Sequence, residues 1–252
     1  MDILIERAGG VLTIALNRPD KKNAITAAMY QEMADAFFEA EKDAAVRAVL
    51  IRGNGGSFSA GNDLEDFLKA PASSPDAPVF QFLRRISSAQ KPVVAAVAGA
   101  AVGVGTTMLL HCDLVYVSDE ARLAMPFVGL GLVPEYASSL LVTQRVGHAK
   151  ATELLLLGEP FNGEAAVEMG IANAVLPAAE VVNHARRRRI ADDQHAQRHA
   201  PAARDAMARA GGLGQAQRVV AHAPALREQQ RQQRELVRLR REAQRRRRRR
   251  RG

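Results

Sequence analysis

At 252 residues the chain can bury a real core, as one large domain or one domain with an appendage, and its single cysteine, Cys112, excludes an internal disulfide framework and fits a reducing, cytoplasmic setting. No apolar run reaches the roughly 18 residues that would span a bilayer, and the opening "MDILIERAGG" is too acidic, with too short an apolar part, for a signal peptide. The net charge of +8 divides into −7 over residues 1–185 (14 Lys plus Arg against 21 Asp plus Glu) and +15 over 186–252 (21 Arg, no Lys, 6 acidic residues), so the basic character belongs to the second segment alone.

Along the first segment, "ILIER" and "VLTIAL" read as short strands parted by a Gly9-Gly10 turn. Thr26 reads as a helix N-cap, after which Met29, Met33, Phe37 and Ala40 recur at helical spacing. "AVLI" (48–51) is a buried strand and "VFQFLRRISSAQ" (79–90) an amphipathic helix. "PVVAAV" (92–97) and "DLVYVS" (113–118) are further strands, with "VGVGTTMLLH" between them as a small-residue helix. Alternation of helices with continuously apolar strands predicts an α/β fold whose parallel sheet is covered by helices. After "PEYASSLLVTQRVG", the stretch "HAKATELLLLGEPFNGEAAVEMGIANAVLP" reads as helix, turn, helix and short strand. All eight Phe and all three Tyr lie at or before Phe161. Beyond about residue 185 the chain is Ala, Arg, Gln and His with few anchors for a core, and its last part has helix formers around a thin apolar stripe of Leu226, Leu236, Val237 and Leu239. Residues 1–185 therefore read as a folded core, and 186–252 as a disordered or loosely helical tail.

Two stretches bear on chemistry. "FSAGNDL" (58–64) and "AGAAVGVGTTM" (98–108) both follow apolar strands and carry glycine where the backbone must turn or come close. Two such loops can aim a pair of main-chain N–H groups at one oxygen, as an oxyanion hole does. The second loop also opens a helix, whose N-terminus favours developing negative charge. Ordinary strand-to-helix packing is the alternative for each loop alone. The glycine order G-x-x-x-G-x-G, at 99, 103 and 105, is not the dinucleotide spacing, and no suitably placed acid follows it. The "HCD" run (111–113) does not converge on a metal, so no metal site is expected, and Cys112 reads as a small buried hydrophobe. Asp63 and Asp66 read as starting the short helix after the first loop.

Taken in order, "LNRPDKKNAIT", "FSAGNDLEDF", "KPVVAAVAGAAVGVGTTMLLHCDLVYVSDEARLAMPFVGLGLVPEYASS" and "ATELLLLGEPFNGEAAVEMGIANAVLP" closely resemble the enoyl-CoA hydratase/isomerase (crotonase) superfamily, over roughly residues 3–183. The resemblance implies a ββα spiral that binds acyl-CoA thioesters. Coenzyme A is then part of the substrate, and no separate cofactor is expected. It also implies that the thioester carbonyl sits between two main-chain amides, which fall here on Asn62 and Val104. Ser59, Ala60, Gly61, Asp63, Leu64 and Gly103 surround these positions as substrate contacts. Lys22, Asn23 and Ala24, beside Lys21, occupy a place that touches the coenzyme's pantetheine and phosphates in such proteins; the alternative is a lysine-rich surface turn.

Crotonase-type hydratases use two glutamates to activate water. Their positions here hold Thr107 and Phe127, neither of which can act as a general base near neutral pH. One acid remains nearby, Glu135 in "GLVPEYASS". That stretch resembles the Δ3,Δ2-enoyl-CoA isomerase branch, where a glutamate at this place is the single base. One carboxylate suffices to carry a proton from C2 to C4 of a 3-enoyl thioester. An apolar surround of Phe127, Leu130, Leu132 and Val133 would raise its pKa into the useful range. The alternative role is a first-turn acid complementing a helix dipole. The expected function is an isomerase moving a double bond from position 3 to position 2. The alternatives are an enoyl-CoA hydratase, or an inactive binder of CoA thioesters or polyanions.

The tail departs from the family's pattern. Crotonases end in helices that cover the acyl pocket and help subunits trimerise, and those motifs have no counterpart after about residue 185. The shift in composition resembles a GC-rich reading frame translated out of register; a genuine basic tail is the competing reading. Seven consecutive Arg (245–251) would bind polyanions nonspecifically in either case. The homotrimer or hexamer implied by the family depends on the missing helices, without which the core would expose apolar surface.

Overall fold

The hairpin expected around Gly9-Gly10 forms. In it β1 (Ile3–Ala8) pairs antiparallel with β2 (Val11–Leu16), in the register Ile5↔Ile14. The computed structural model describes residues 1–69, 72 and 74–187; from residue 188 onward the tail lies outside the described residues. Thr26 caps α1 (Ala27–Lys42), its side chain accepting from Met29 N, and the helix buries Met29, Tyr30, Met33, Phe37 and Ala40. The chain continues through β3 (Ala48–Gly53), α2 (Leu64–Lys69), α3 (Pro78–Ser87), β4 (Val93–Val97), β5 (Ala100–Val102) and α4 (Val104–Thr107), which tightens into a 3-10 turn over Met108–His111. Then come β6 (Leu114–Ser118), β7 (Arg122–Ala124), α5 (Ser138–Thr152), β8 (Phe161–Asn162), α6 (Gly163–Glu168), β9 (Ala174–Leu176) and α7 (Val181–Arg187).

Six strands form the main sheet in the order β1-β2-β3-β4-β6-β9. Every pairing from β2 onward is parallel, for example Val49↔Val93 and Val94↔Leu114. The central strands are apolar on both faces because both are covered, which is why "AVLI" and "VVAAV" show no alternation. A second sheet, β5-β7-β8, has only short strands. Sequence periodicity does not reveal it, because two or three residues are too few to show a period.

The two sheets make the chain a spiral. It leaves a strand of the main sheet, adds a short strand to the small one, then turns into a helix, as in β4-β5-α4 and β6-β7-α5. In the preceding turn, Ser59 takes the short strand's place by bridging to Ala101. Three successive turns therefore bring loops 59–64, 102–107 and 125–138 to one end of the small sheet. On the opposite face of the main sheet α7 packs Val181 and Ala185 against Leu50, Val94, Ala96 and Tyr116, and Arg186 Nη2 meets Glu6 Oε2 at 2.6 Å. The helix thus runs two residues past the boundary read at 185. Among the described residues, no helix is long and apolar enough to cross a membrane.

Candidate active site

Two glycine loops lie side by side. Phe58 N and Ser59 N both donate to Ala100 O at 2.9 Å, and Val102 N donates to Ser59 O at 2.9 Å. Two glycines permit this approach. A Cβ on Gly61 (φ +90°) would stand 2.8 Å from Val102 O, and one on Gly105 would stand 2.8 Å from Ser59 O, inside the van der Waals limit. A third segment flanks them. Ala60 N donates to Lys22 O, Ile25 N to Gly61 O and Asp63 N to Ile25 O, at 2.8–2.9 Å.

From Phe58 to Asp63, each main-chain N–H has an acceptor among the described residues except that of Asn62. In the facing loop Val102 N and Gly103 N donate to Ser59 O and Ala124 O, while Thr106 N and Thr107 N both donate to Gly103 O. The amide of Val104, a residue only 3% exposed, has no acceptor among the described residues at the start of α4, and neither has that of Gly105 behind it. Unsatisfied buried N–H groups are rare and cost about 1–3 kcal/mol each. The Val104 amide is such a group, and with the Asn62 amide of the adjoining loop, on a half-buried residue, it is available to a ligand oxygen. The helix dipole expected from the sequence contributes little, because α4 is four residues long before it tightens. Individual N–H donors, not a long helix, set the field here.

Glu135 is not a first-turn acid. Helix α5 begins at Ser138 and has no acidic residue in its first turn. Between them Tyr136 and Ala137 both adopt left-handed backbone, with φ 55° and 56°, a conformation that costs non-glycine residues of order 1–3 kcal/mol. Tertiary contacts hold it. Tyr136 Oη donates to Leu83 O at 2.8 Å, its ring stacks on His111 with centroids 3.7 Å apart, and Ser138 Oγ donates to Glu135 O at 2.6 Å. The turn directs the Glu135 carboxyl to Thr107, whose Oγ1 donates to Oε1 at 2.5 Å. Thr107 stands one helical turn beyond Val104, so the acid and the open amide flank the same short helix.

Burial pushes the Glu135 carboxyl up to about 7, with the Thr107 hydrogen bond pulling the other way. The expected apolar surround is only partly present. Phe127 is buried and Leu132 packs on the core, whereas Leu130 and Val133 are 43% and 62% exposed. The buried Tyr30 and the half-buried Tyr136 feel the Glu135 charge; desolvation first, and then that charge among others, hold both hydroxyls above the ordinary phenol range.

The other residues named from the sequence divide by exposure. Asn23 is fully buried: its Oδ1 accepts from Arg18 N, and its Nδ2 donates to Asn54 O and Ser57 O. Its side chain is therefore committed to bracing the loops. Ser59 is also buried, its Oγ donating to Asn23 O and accepting from Gly61 N. Lys21 and Lys22 are exposed and Ala24 is half-buried, and Leu64 is 53% exposed. Asp63 Oδ1 accepts from the Glu65 and Asp66 amides at the start of α2, and Arg18 binds Oδ2 at 3.1 Å. The Asp66 amide first, and Arg18 after it, hold this carboxyl below the usual range despite its partial burial. Asp66 Oδ2 accepts from Ala27 N at 2.7 Å. Cys112 is buried, and among the described residues no three His, Cys, Asp or Glu side chains gather as metal ligands would.

Two residues of the site were not singled out by sequence reasoning. Thr107 reads there only as a missing carboxylate, and Tyr30, whose Oη donates to Asn62 Oδ1 at 2.6 Å, carries no local signal at all.

A two-sheet spiral with one half-buried acid and open amides on its adjoining loops defines a crotonase-type α/β protein. The chain matches the enoyl-CoA hydratase/isomerase family over residues 6–237, and it belongs to that family. The match runs beyond residue 185 into the arginine-rich segment. The chain is 39% identical over 181 residues to "Enoyl-CoA delta isomerase 2" of Rattus norvegicus, covering 69% of this chain but only 46% of the rat protein. It is 32% identical over 191 residues to "Probable enoyl-CoA hydratase" of Bacillus subtilis, covering 74% of this chain and 73% of that one. Among solved structures, Pseudomonas aeruginosa OdaA superposes with a TM-score of 0.74 at 47% identity, over 91% of this chain and 88% of that one.

Proposed function

We propose that the protein is an enoyl-CoA isomerase, moving a double bond from C3–C4 to C2–C3 of an acyl-CoA thioester. The observation that carries this reading is a single carboxyl, raised to about 7, with Thr107 and Phe127 at the places where a hydratase would present its two acids. In the mechanism the thioester oxygen accepts from the Asn62 and Val104 amides. Glu135 takes a proton from C2, and the electron pair moves onto the oxygen as a dienolate. The same carboxyl returns the proton to C4, leaving the double bond between C2 and C3 and the carboxylate restored. Each oxyanion donor is worth about 2.7–4 kcal/mol in such a step, and a base whose pKa lies near the working pH is suited to both half-reactions.

The coenzyme is carried on the substrate, and the exposed Lys21 and Lys22 on the flanking loop offer positive charge to its phosphates. The rat relative's name agrees with an isomerase. The Bacillus relative's name favours a hydratase, but here the Thr107 hydroxyl is committed to Glu135 and Phe127 brings no second base. A trimer or hexamer, as the family implies, would cover Leu130, Val133, Leu156 and Leu157, which are 43–67% exposed.

The assay that tests the reading offers 3-enoyl-CoA and 2-enoyl-CoA separately. An isomerase generates the conjugated thioester from the first, seen as a rise in ultraviolet absorbance. Consumption of the second by hydration, without conversion of the first, would establish the hydratase instead.

A further inference from the structure

Helix α1 is fastened at its start to the loop that carries Asn62. Ile25 N donates to Gly61 O, Asp63 N to Ile25 O, and Ala27 N to Asp66 Oδ2, at 2.7–2.9 Å. One turn into the helix, this arrangement sets Tyr30 against Asn62, and the Tyr30 hydroxyl donates to Asn62 Oδ1 at 2.6 Å. Tyr30 is 3% exposed, and its ring packs against Phe82 with centroids 5.6 Å apart, so the hydroxyl is delivered from a rigid place.

The peptide between Gly61 and Asn62 needs such a clamp. Its carbonyl has one hydrogen bond among the described residues, from Ile25 N, and its N–H has no acceptor among them. A single bond on the carbonyl side leaves the peptide plane free to swivel, and the glycine before it resists little. Fixing the Asn62 side chain through Oδ1 removes that freedom. We propose that Tyr30 is a positioning residue, which aims the Asn62 main-chain N–H at the substrate oxygen by holding the Asn62 side chain. The inference rests on the reading of that amide as an oxyanion donor.

Tyr30→Phe keeps the ring and removes the hydroxyl, while Asn62→Ala keeps the main-chain amide and removes the acceptor. The probe is acetoacetyl-CoA. Its C2 proton passes to a base and the electron pair to oxygen, giving an enolate that absorbs in the near ultraviolet and reports the oxyanion site without turnover. Each single variant is expected to lower the enolate fraction of bound thioester by about tenfold, the scale of one hydrogen bond, while total affinity by calorimetry changes less than about twofold. The double variant should lose no more than either single one, because both remove the same link. An unchanged enolate fraction in Tyr30→Phe would overturn the inference, and so would losses that multiply in the double variant. A lowered melting temperature with an undiminished enolate fraction would also overturn it, marking the bond as purely structural. If the wild-type protein bound the thioester without forming enolate, the oxyanion reading itself would fall and take this inference with it.

Discussion

Thr107 Oγ1 donates to Glu135 Oε1 at 2.5 Å across 28 residues of sequence, so the position that lacks a hydratase carboxylate serves the carboxylate that remains. The bond favours the ionised form of Glu135 and burial favours the protonated form. Burial wins, and the group sits at about 7.

Removing the donor should let burial act unopposed. In Thr107→Val the Glu135 pKa rises further, and the pH profile of kcat/KM for 3-enoyl-CoA moves to the alkaline side by about one unit, the equivalent of one hydrogen bond. A midpoint that stays in place or moves acid would show that Thr107 does not set the base.

Stability carries the opposite sign of the same interaction. Above the ordinary carboxyl value of 4.5 the unfolded chain ionises first, while the folded protein keeps its proton up to about 7. Stability is therefore lost as pH rises through this window, and the full deficit, on the order of 3 kcal/mol, is present above it. Glu135→Gln never ionises. It should melt at a higher temperature than the wild-type protein at pH 8, with the difference gone near pH 4; equal melting at both pH values would contradict the buried-acid assignment.

The close contact of the two loops gives a geometric test. In Gly105→Ala the new methyl would meet Ser59 O at 2.8 Å and Ser59 Cβ at 3.1 Å, so the loops must part and the two open amides with them. Losing one oxyanion donor costs about 10²–10³ in kcat, and a loss of that size is expected in a variant that still folds by circular dichroism. Full activity would mean that the loop spacing does not matter to the chemistry.

Asn23 makes a stability test separate from catalysis. Alanine there would leave Arg18 N, Asn54 O and Ser57 O without the partners they now have. The urea midpoint should fall by the equivalent of about 1–3 kcal/mol with an unchanged m-value. A variant as stable as the wild-type protein would place the bracing of these loops elsewhere.

Much of the fold is legible in the sequence because burial leaves a period or its absence. Strands β3 and β4 are covered on both faces and read as continuous apolar runs, and α1 shows its buried face as Met29, Met33, Phe37 and Ala40. The small sheet is invisible because its strands form through pairing between distant loops rather than through local preference. The start of α5 at Ser138, four residues past Pro134, is equally hidden. Tyr136 and Ala137 have no intrinsic taste for left-handed backbone; the His111 stack, the bond to Leu83 O and the Ser138–Glu135 bond impose it. Of the site, Glu135 and the glycine loops carry residue-type signals. The links Thr107–Glu135 and Tyr30–Asn62 exist only once the spiral has brought its turns together.

The most direct measurement is the turnover of 3-enoyl-CoA by Glu135→Gln. A rate lower by at least about a hundredfold, the low end of what a general acid–base group contributes, with thioester affinity retained, is the outcome expected of a lone proton carrier. Turnover at the wild-type rate would contradict it and leave Glu135 as a half-buried structural acid.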